Sequence, residues 1–349
     1  MSAINIGGRT VGAGHPCFVI AEAGVNHNGD PDLARRLVDA AADAGADAVK
    51  FQTFSAERVV GAGAPKPAYQ RAGTAAGESQ LEMLRKLELP RGVHRDLRAR
   101  ASERGLLFMS TPFDEESAQF LDDLGVPLFK VASGELTNLP LLDFIARRGK
   151  PIILSTGMAY LNEVERAVRT IRNAGYSQLV LLHCVSCYPA EPQDVNLRAM
   201  QQMERAFGVP VGFSDHTLGI EIAIAAVALG ACVVEKHFTL DRHLPGPDHR
   251  ASLEPGELSS LVGAIRKVEL ALGSGEKRPA ASEHENRRMV RRGLHLRASA
   301  AAGTIISPEV LTALRPGGEI GPEHWEQVVG RRLVRSLPAG ARLTWQDLA

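Results

Sequence analysis

Two lysines interrupt apolar runs of the sequence, Lys50 in AVKFQ and Lys130 in LFKVAS. A lysine inside a sheet must be neutralised by an anion or shift its pKa downward, because burial disfavours the charged ammonium. Hydroxyl residues, which orient phosphate and carboxylate oxygens, end or follow other apolar runs. They are Thr111, Ser133, Ser155, Ser186 and Ser214. The pattern predicts an anionic small-molecule ligand. The alternatives are a Schiff-base lysine that reacts with a carbonyl substrate and a lysine whose ammonium group extends to the solvated rim.

Two histidines close the last two apolar runs, His216 in GFSDH and His237 in EKH. If these runs are neighbouring strands of one parallel sheet, the two imidazoles converge at the same edge. They could then share a divalent ion whose other ligands are oxygens of substrate and water. Hydrogen-bonded core histidines are the alternative.

Three acidic residues, Glu22, Glu135 and Asp248, lie at the ends of apolar runs or in nearby loops. Carboxylates in such places suit proton transfer or the recognition of sugar hydroxyls. Further polar residues at the run ends are Asn26, Gln52, Thr156, Tyr188, Asp215, Glu235 and Lys236. So many polar side chains on one rim indicate a binding site. The insertion Pro65–Gln80 is a candidate lid over it.

The apolar runs are the elements that must bring these side chains together. Eight short runs rich in β-formers alternate with helix-like segments. The runs begin at Phe18, Ala48, Leu106, Leu128, Pro151, Leu179, Pro210 and Val233. Eight β/α units in about 270 residues, with strands too apolar to face water, predict an α/β protein with a closed (β/α)8 TIM barrel and an active site at the carboxyl ends of the strands. A doubly wound open sheet is the alternative, and the lack of a glycine-rich dinucleotide loop disfavours it.

Both ends of the chain carry additional elements. Residues 4–12 (INIGGRTVG) predict a hairpin that closes the barrel floor. After Gly273 the sequence is polar and rich in breakers, which is typical of a linker or an exposed helix end. We therefore expect a barrel domain at 1–275, a linker at 276–290 and a module at 291–349. A module of about 60 residues is marginal alone, so we expect it to dock on a barrel.

Composition limits the classes of partner. The chain has 40 Lys and Arg against 40 Asp and Glu, so no global field attracts nucleic acid or an anionic membrane. No apolar stretch is long enough to span a bilayer, and MSAINIGGRT does not resemble a signal peptide. We expect a cytoplasmic protein that binds a small molecule. Cys184 and Cys187 have CxxC spacing without a second pair, which is weak support for zinc or redox chemistry.

Several strings resemble the bacterial N-acetylneuraminate synthase family, which includes synthases of legionaminic and pseudaminic acid. They are AEAGVNHNG, VKFQTF, STPFD, KVASGEL, LSTGM, HCVSCYPA, GFSDHT, EKHFTLD and GPDHRASLEP. They occur in order over nearly the whole chain. The tail, with NRRMVRRGLHLRASAAAGTII and LRPGGEI, is similar to the antifreeze-like (SAF, β-clip) domain that ends these enzymes.

The resemblance implies a set of site residues. Phosphoenolpyruvate would bind near Lys50, Thr111, Lys130, Ser133, Ser155, Ser186 and Ser214, although some sialic acid synthases have Asn in place of Ser186. A divalent metal, Mn²⁺ or Mg²⁺, would bind His216 and His237. The sugar would contact Glu22, Gln52, Glu135, Tyr188 and Asp248. Its N-acetyl group would contact Arg315, which in the family comes from the partner of a domain-swapped homodimer.

The implied activity is the condensation of phosphoenolpyruvate with N-acetylmannosamine or a 2,4-diacetamido-6-deoxymannose. Carbon 3 of phosphoenolpyruvate attacks the metal-polarised aldehyde, water adds to C2 with help from the metal or a carboxylate such as Glu135, and phosphate leaves by C–O cleavage. The lysines would stabilise charge rather than form an imine. A Schiff-base pyruvate aldolase on the same barrel is the alternative. The ESQLEMLRKLEL and GPDHRASLEP strings favour the neuraminate and legionaminate branches and do not separate them.

Overall fold

The computed structural model describes residues 3–75 and 77–349. It divides into two compact units, Met1–Gly273 and Ser274–Ala349. The first unit begins with an antiparallel hairpin of β1 (Ile4–Ile6) and β2 (Arg9–Val11), as predicted for residues 4–12. Its large sheet follows. Among the described residues, no helix is long and apolar enough to cross a membrane.

Eight parallel strands form the sheet of the first unit. They are β3 (Phe18–Gly24), β4 (Ala48–Thr53), β5 (Leu107–Pro112), β6 (Phe129–Val131), β7 (Ile152–Ser155), β8 (Leu179–Cys184), β9 (Val211–Asp215) and β10 (Val233–His237). Their hydrogen-bonded order is β5-β4-β3-β10-β9-β8-β7-β6, and the two end strands β5 and β6 pack against each other. The sheet therefore curves into a barrel, and each predicted apolar run forms one of its strands.

Helices follow the strands. They are α1 (Pro31–Asp43), α2 (Ala56–Val59), α3 (Ala68–Gly73), α4 (Gln80–Leu87), α5 (Arg91–Glu103), α6 (Glu115–Leu124), α7 (Leu139–Ala146), α8 (Leu161–Asn173), α9 (Arg198–Phe207), α10 (Glu221–Ala228) and α11 (Pro255–Leu272). The insertion after β4 contains α2, α3 and α4, and Ser79 and Glu82 form a capping box that starts α4. The predicted lid Pro65–Gln80 lies in this insertion, and its residue Ala76 is outside the described residues.

The barrel interior has an apolar floor beneath its polar mouth. Side chains alternate across a strand, so inward positions near the strand starts, such as Ile20 and Val233, pack with Ile4, Ile6 and Val11 of the hairpin. Ile6 is fully buried. The hairpin therefore fills the lower end of the barrel, as the sequence predicts.

The second unit has its own small core. It contains α12 (His284–Val290), β11 (Gly293–Leu296), β12 (Leu311–Leu314) and α13 (Trp325–Val328), and β11 pairs with β12 in antiparallel fashion. Leu294, Leu296 and Leu343 are fully buried in its core. The segment predicted as a linker, 276–290, includes a 3₁₀ turn (Ala281–Glu283) and α12, because exposed polar residues such as Arg287 are good helix formers.

Candidate active site

A cavity of about 600 Å³ opens at the carboxyl ends of the barrel strands. The period of two in each strand explains its polar lining. In β4, Lys50 and Gln52 line the cavity, whereas in β10 Glu235 and His237 line it and Lys236 between them does not. Every site residue implied by the family resemblance except Glu135 and Arg315 contributes to this lining. The residues that do so are Glu22, Lys50, Gln52, Thr111, Lys130, Ser133, Ser155, Ser186, Tyr188, Ser214, His216, His237 and Asp248. Four of the further polar residues at the strand ends do not, namely Asn26, Thr156, Asp215 and Lys236.

Lys50 is held by acids and a hydroxyl at the base of the cavity. Its Nζ lies 2.8 Å from Glu22 Oε2 and 3.7 Å from Glu235 Oε2, and it donates to Thr111 Oγ1 at 3.0 Å. Burial acts to lower the pKa of Lys50, but the two carboxylates outweigh it and the net shift is upward. Burial raises the pKa of Glu22 to about 7 against the opposing charge of Lys50. Lys50 is therefore cationic, and Glu22 is able to exchange a proton near neutral pH.

Lys130 forms the second cationic point of the base. Its Nζ donates to Ser155 Oγ at 2.8 Å and lies 3.5 Å from Glu235 Oε1. Ser214 Oγ donates to that same carboxylate oxygen at 2.9 Å. Burial lowers the pKa of Lys130, with Glu235 opposing the shift. Burial also acts to raise the pKa of Glu235, but the two lysines bring it down to about 2, so this carboxylate is ionised.

Glu235 is the acid that connects both lysines. From the sequence it is predicted only as one polar residue at a strand end. The alternation of side chains along β10 could have identified it, because Glu235 lies two residues before His237 and so faces the same side of the strand. Because Glu22 also contacts Lys50 and has a pKa of about 7, the base has a net positive charge for an anionic ligand when Glu22 is protonated and Glu235 is ionised.

Gly157 shapes the wall beside the lysines. A Cβ at this position would lie 2.3 Å from Ser186 Oγ and 2.9 Å from Ser133 Oγ, so only glycine lets the two hydroxyls approach the backbone. Gly157 N–H donates to Ser133 Oγ at 3.0 Å. The next residue, Met158, has a φ of +63° and lines the cavity. The LSTGM string and the hydroxyls of Ser133 and Ser186 therefore form a polar wall of the cavity, which is suited to phosphate oxygens.

His216 and His237 meet at the mouth, with ring centroids 5.5 Å apart. His216 Nδ1 contacts the carbonyl oxygen of Val185 at 2.6 Å, which fixes the proton on Nδ1. The lone pair is therefore on Nε2, which lies 3.5 Å from Ser214 Oγ and is the atom that could bind a metal. Burial lowers the pKa of His216 to about 4 and that of His237 well below its ordinary value, so both rings are neutral. Neutral imidazole is the form that binds metals.

The donor set around these histidines fits a divalent cation with exchangeable positions. His237 Nδ1 is buried without a hydrogen-bond partner and lies 3.9 Å from Asp248 Oδ2. Within residues 3–75 and 77–349, no group of three His, Cys, Asp or Glu side chains is preformed to hold a metal ion. The protein thus offers two nitrogen ligands, and substrate and water oxygens would complete the coordination.

Aromatic rings connect the insertion to the histidines. Tyr188 lies over His216 with centroids 4.1 Å apart, and Tyr69 of α3 lies over Tyr188 at 4.9 Å. Tyr69 was not among the predicted site residues, because α3 is a short helix without a clear apolar period. The Tyr69 side chain forms part of the cavity wall and ties the insertion to the candidate metal ligands.

The outer part of the cavity is mainly apolar, although Gln70 and Gln80 of the insertion also line it. Its apolar residues come from the insertion and from neighbouring loops: Val25, Phe54, Val59, Pro67, Met83, Leu84, Leu87 and Phe113. We call this set the outer lobe. Burial raises the pKa of Asp248, which lines the cavity near Tyr188, to about 6. The lining of this cavity contains two cationic side chains, Lys50 and Lys130, and both are at its base.

Two of the residues implied by the family resemblance lie outside this lining. Glu135 ends the 3₁₀ turn Ser133–Glu135, where successive side chains point in different directions, and its carboxylate accepts a hydrogen bond from Asn138 Nδ2 at 2.7 Å. Arg315 belongs to the second unit, where it is exposed and precedes Pro316. The carboxylates that line the cavity are Glu22, Glu235 and Asp248.

Comparison with known proteins gives the family. The chain matches the NeuB family over residues 37–277 and the SAF domain over residues 291–349. The N,N'-diacetyllegionaminic acid synthase of Legionella pneumophila is 50% identical over 341 residues, which are 97% of this chain and 96% of that protein. The synthase of the same name from Campylobacter jejuni is 49% identical over 316 residues, 90% of this chain and 95% of that protein.

A solved structure agrees with these sequence relatives. The crystal structure of the N-acetylneuraminic acid (sialic acid) synthetase of Leptospira borgpetersenii has a TM-score of 0.74 and 38% identity, and it covers 82% of this chain and 95% of that one. This chain belongs to the NeuB family and ends in a SAF domain.

Proposed function

We propose that this protein is a nonulosonate synthase of the sialic acid type, which condenses phosphoenolpyruvate with an N-acetylated amino-sugar aldehyde and water and releases phosphate. The observation that carries the proposal is the base of the cavity, where Lys50 and Lys130 share one firmly ionised acid, Glu235. Phosphoenolpyruvate is a dense anion that such a base would bind. The hydroxyls of Ser133 and Ser186 beside Gly157 offer donors for its phosphate oxygens.

The acceptor would bind above phosphoenolpyruvate, with its far end in the outer lobe. An apolar wall suits a 6-methyl group and acetamido methyls better than a charged substituent. The cations of the lining are at the base, and Lys66 of the insertion is buried and donates to Thr74 Oγ1 and the carbonyl oxygen of Ala75. The 50% identical relative, named for diacetyllegionaminic acid, points the same way. We therefore favour a 2,4-diacetamido-6-deoxymannose over N-acetylmannosamine or its 6-phosphate.

His216 and His237 would hold Mn²⁺ or Mg²⁺. When bound, such a cation supplies Lewis-acid polarisation of the acceptor aldehyde oxygen. We expect removal of divalent ions by exhaustive chelation to abolish phosphate release, and added Mn²⁺ or Mg²⁺ to restore it. His237→Ala should bind Mn²⁺ at least tenfold more weakly in a direct titration. Full turnover after chelation would contradict the metal proposal and leave the fold assignment intact.

The side chains of the cavity account for the remaining chemistry. Lys50 and Lys130 would hold phosphoenolpyruvate so that its C3 faces the aldehyde carbon, where the new C–C bond forms. Glu22, with its pKa of about 7, is the candidate donor of the proton that the aldehyde oxygen gains, and then the candidate acceptor of the proton that water gives up as it adds to C2. The C2–O bond to phosphate then breaks, and the proton of the new C2 hydroxyl leaves with the phosphate, so that a 2-keto acid remains.

The test is a panel of acceptors assayed for phosphate release with phosphoenolpyruvate carrying ¹⁸O in its bridging oxygen. We expect the highest kcat/KM for the diacetamido-6-deoxy sugar and recovery of the label in inorganic phosphate. Label in the keto acid would contradict C–O cleavage. Inactivation by borohydride in the presence of pyruvate, with modification of Lys50 or Lys130, would instead support the Schiff-base aldolase.

The active unit would be a domain-swapped homodimer in which Arg315 contacts the acetamido group in the partner's cavity. Two observations support the proposal. The cavity lining of the first unit contains no cation at its outer end, and Arg315 is an exposed arginine in the SAF domain. Arginine donates several parallel hydrogen bonds and so suits an amide carbonyl.

A further inference from the structure

A buried ion pair lies directly behind the two histidines, on the opposite face of their strands. Lys236 Nζ is 2.8 Å from Asp215 Oδ2, and both side chains have no solvent-exposed surface. In β9 and β10 the residues on either side of the pair, Ser214 and Glu235, line the cavity, whereas Asp215 and Lys236 do not. The pair therefore lies on the outer face of the barrel, beneath the helices.

The pair joins the two strands in a specific register. Lys236 and Asp215 are direct partners in the β9–β10 ladder, and each immediately precedes one of the histidines. His216 is the first residue after β9, and on the β8 side its carbonyl oxygen accepts from Ala190 N–H at 2.9 Å. The ion pair is the link on the β10 side, so it contributes to where His216 lies relative to His237.

The same ion pair also holds the backbone beyond His216. Asp215 Oδ1 accepts from Thr217 N–H at 2.9 Å and from Thr217 Oγ1 at 2.8 Å, and Lys236 Nζ donates to the Thr217 carbonyl oxygen. The residues before and after His216 are thus both bound to the lysine that precedes His237. Thr217 is itself buried.

We propose that Lys236 and Asp215 are positioning residues, which set the separation of His216 and His237 for a divalent cation. The inference rests on the proposed function in one respect, the metal site. A fully buried ion pair is a poor source of net stability, because desolvation of both charges offsets their attraction. Its presence behind the two histidines is explained if it specifies geometry, as outer-shell groups do for metal ligands.

The test measures Mn²⁺ affinity without turnover. Full-length metal-free protein is titrated with Mn²⁺, and the free ion is followed by electron paramagnetic resonance, while the thermal midpoint is measured in metal-free buffer. The main variant is Asp215→Asn/Lys236→Met, which removes both charges and leaves neither unpaired. We expect its midpoint to stay within about 5 °C of wild type and its Mn²⁺ dissociation constant to rise at least about tenfold.

Two further variants separate positioning from stability. Asp47→Asn removes a carboxylate bound to Arg266 and to Val19 N–H just before β4, far along the strands from the mouth. It should lower the thermal midpoint and leave Mn²⁺ affinity within about twofold of wild type. Thr217→Val removes only the hydroxyl, so it should fold even if the double variant does not, and weaken Mn²⁺ binding about threefold.

The outcomes are distinct. If the double variant folds and binds Mn²⁺ as tightly as wild type, the positioning role is overturned and the metal site remains. If the double variant does not fold, wild-type Mn²⁺ affinity in Thr217→Val leads to the same conclusion. An equal loss of affinity in Asp47→Asn would overturn it as well, because the effect would follow stability. A wild-type protein that binds no Mn²⁺ would overturn the proposed metal site, and the positioning role with it.

Discussion

The ammonium group of Lys130 is buried, so water screens its charge little. Removal of this side chain should weaken mainly the binding of phosphoenolpyruvate. A charge-assisted hydrogen bond in such a place contributes about 1.5 to 3 kcal/mol. We expect Lys130→Ala to raise the Michaelis constant for phosphoenolpyruvate at least about tenfold, with a smaller effect on the acceptor. Lys267→Ala, an exposed lysine of α11, is the control. An unchanged phosphoenolpyruvate constant would count against the assignment.

Gly157 should be intolerant of even a methyl group. Because its Cβ would meet Ser186 Oγ at 2.3 Å, Gly157→Ala must displace that hydroxyl or the backbone of the wall. We expect phosphoenolpyruvate affinity to fall about tenfold or more, as for loss of a hydrogen bond to a charged group, while the protein stays folded. Gly263→Ala on α11, where an added methyl meets nothing within 4 Å, should match wild type. The measurement is phosphoenolpyruvate binding by calorimetry. Equal affinity in both variants would contradict the proposed role of Gly157.

The sequence predicted most of the polar residues that the barrel strands contribute to the cavity, because alternation in a parallel barrel is a strong constraint. A residue near the carboxyl end of a barrel strand faces either the cavity or the helices, and Lys50 and Ser155 face the cavity, as the alternation predicts. Glu135 departs from it because it follows the strand in a 3₁₀ turn. Gly157 and Tyr69 could not be found from residue type, since a missing side chain matters only through its neighbours and a tyrosine in a polar insertion is not distinctive.

The strands were the predictable elements, whereas the insertion after β4 was predicted only as a lid, without its helices. Apolar runs of four to seven residues bounded by turns predict buried strands, and tertiary packing moved their ends by only a few residues. The helices α2 and α3 have four and six residues. Helices so short are marginal on their own. The first of them, α2, packs against α4, whose Met83 packs in turn against Val25.

The loop between β3 and α1 should make stability depend on pH. His27 Nδ1 accepts from Gly29 N–H at 3.0 Å, and burial lowers the pKa of this histidine from its ordinary 6.5 to about 3. The unfolded chain therefore binds more protons than the folded one between these values. The free energy of unfolding must fall as the pH drops below 6.5, by up to about 1.4 kcal/mol per pH unit for this group.

The variant His27→Asn isolates that contribution, because its Oδ1 can replace Nδ1 as the acceptor. Urea unfolding at pH 7, 6 and 5 should show a shallower loss of stability in the variant than in wild type, by about 1 to 2 kcal/mol over this range. The exposed His243→Asn is the control and should keep the wild-type slope. Parallel slopes for His27→Asn and wild type would refute the role of His27.

At the scale of the whole molecule, the proposed swap predicts complementation between two inactive proteins. Arg315→Ala impairs the SAF domain that would contact the partner's cavity, and His216→Ala impairs the cavity of its own barrel. In a swapped heterodimer one cavity has both lesions and the other has neither. We expect purified heterodimers, verified with two affinity tags, to recover about half of wild-type activity, since one of two independent sites is intact. Heterodimers without activity would show that each SAF domain acts on the barrel of its own chain.

With the hairpin β1–β2 filling the lower end of the barrel, ligands enter and leave the cavity through the mouth alone. The proposed phosphoenolpyruvate site is at the base and the proposed acceptor site is above it, so a bound acceptor obstructs the path to the base. Steady-state kinetics should therefore be ordered, with phosphoenolpyruvate first. An unreactive acceptor analogue should inhibit uncompetitively towards phosphoenolpyruvate, because it binds productively only after the lower site is full.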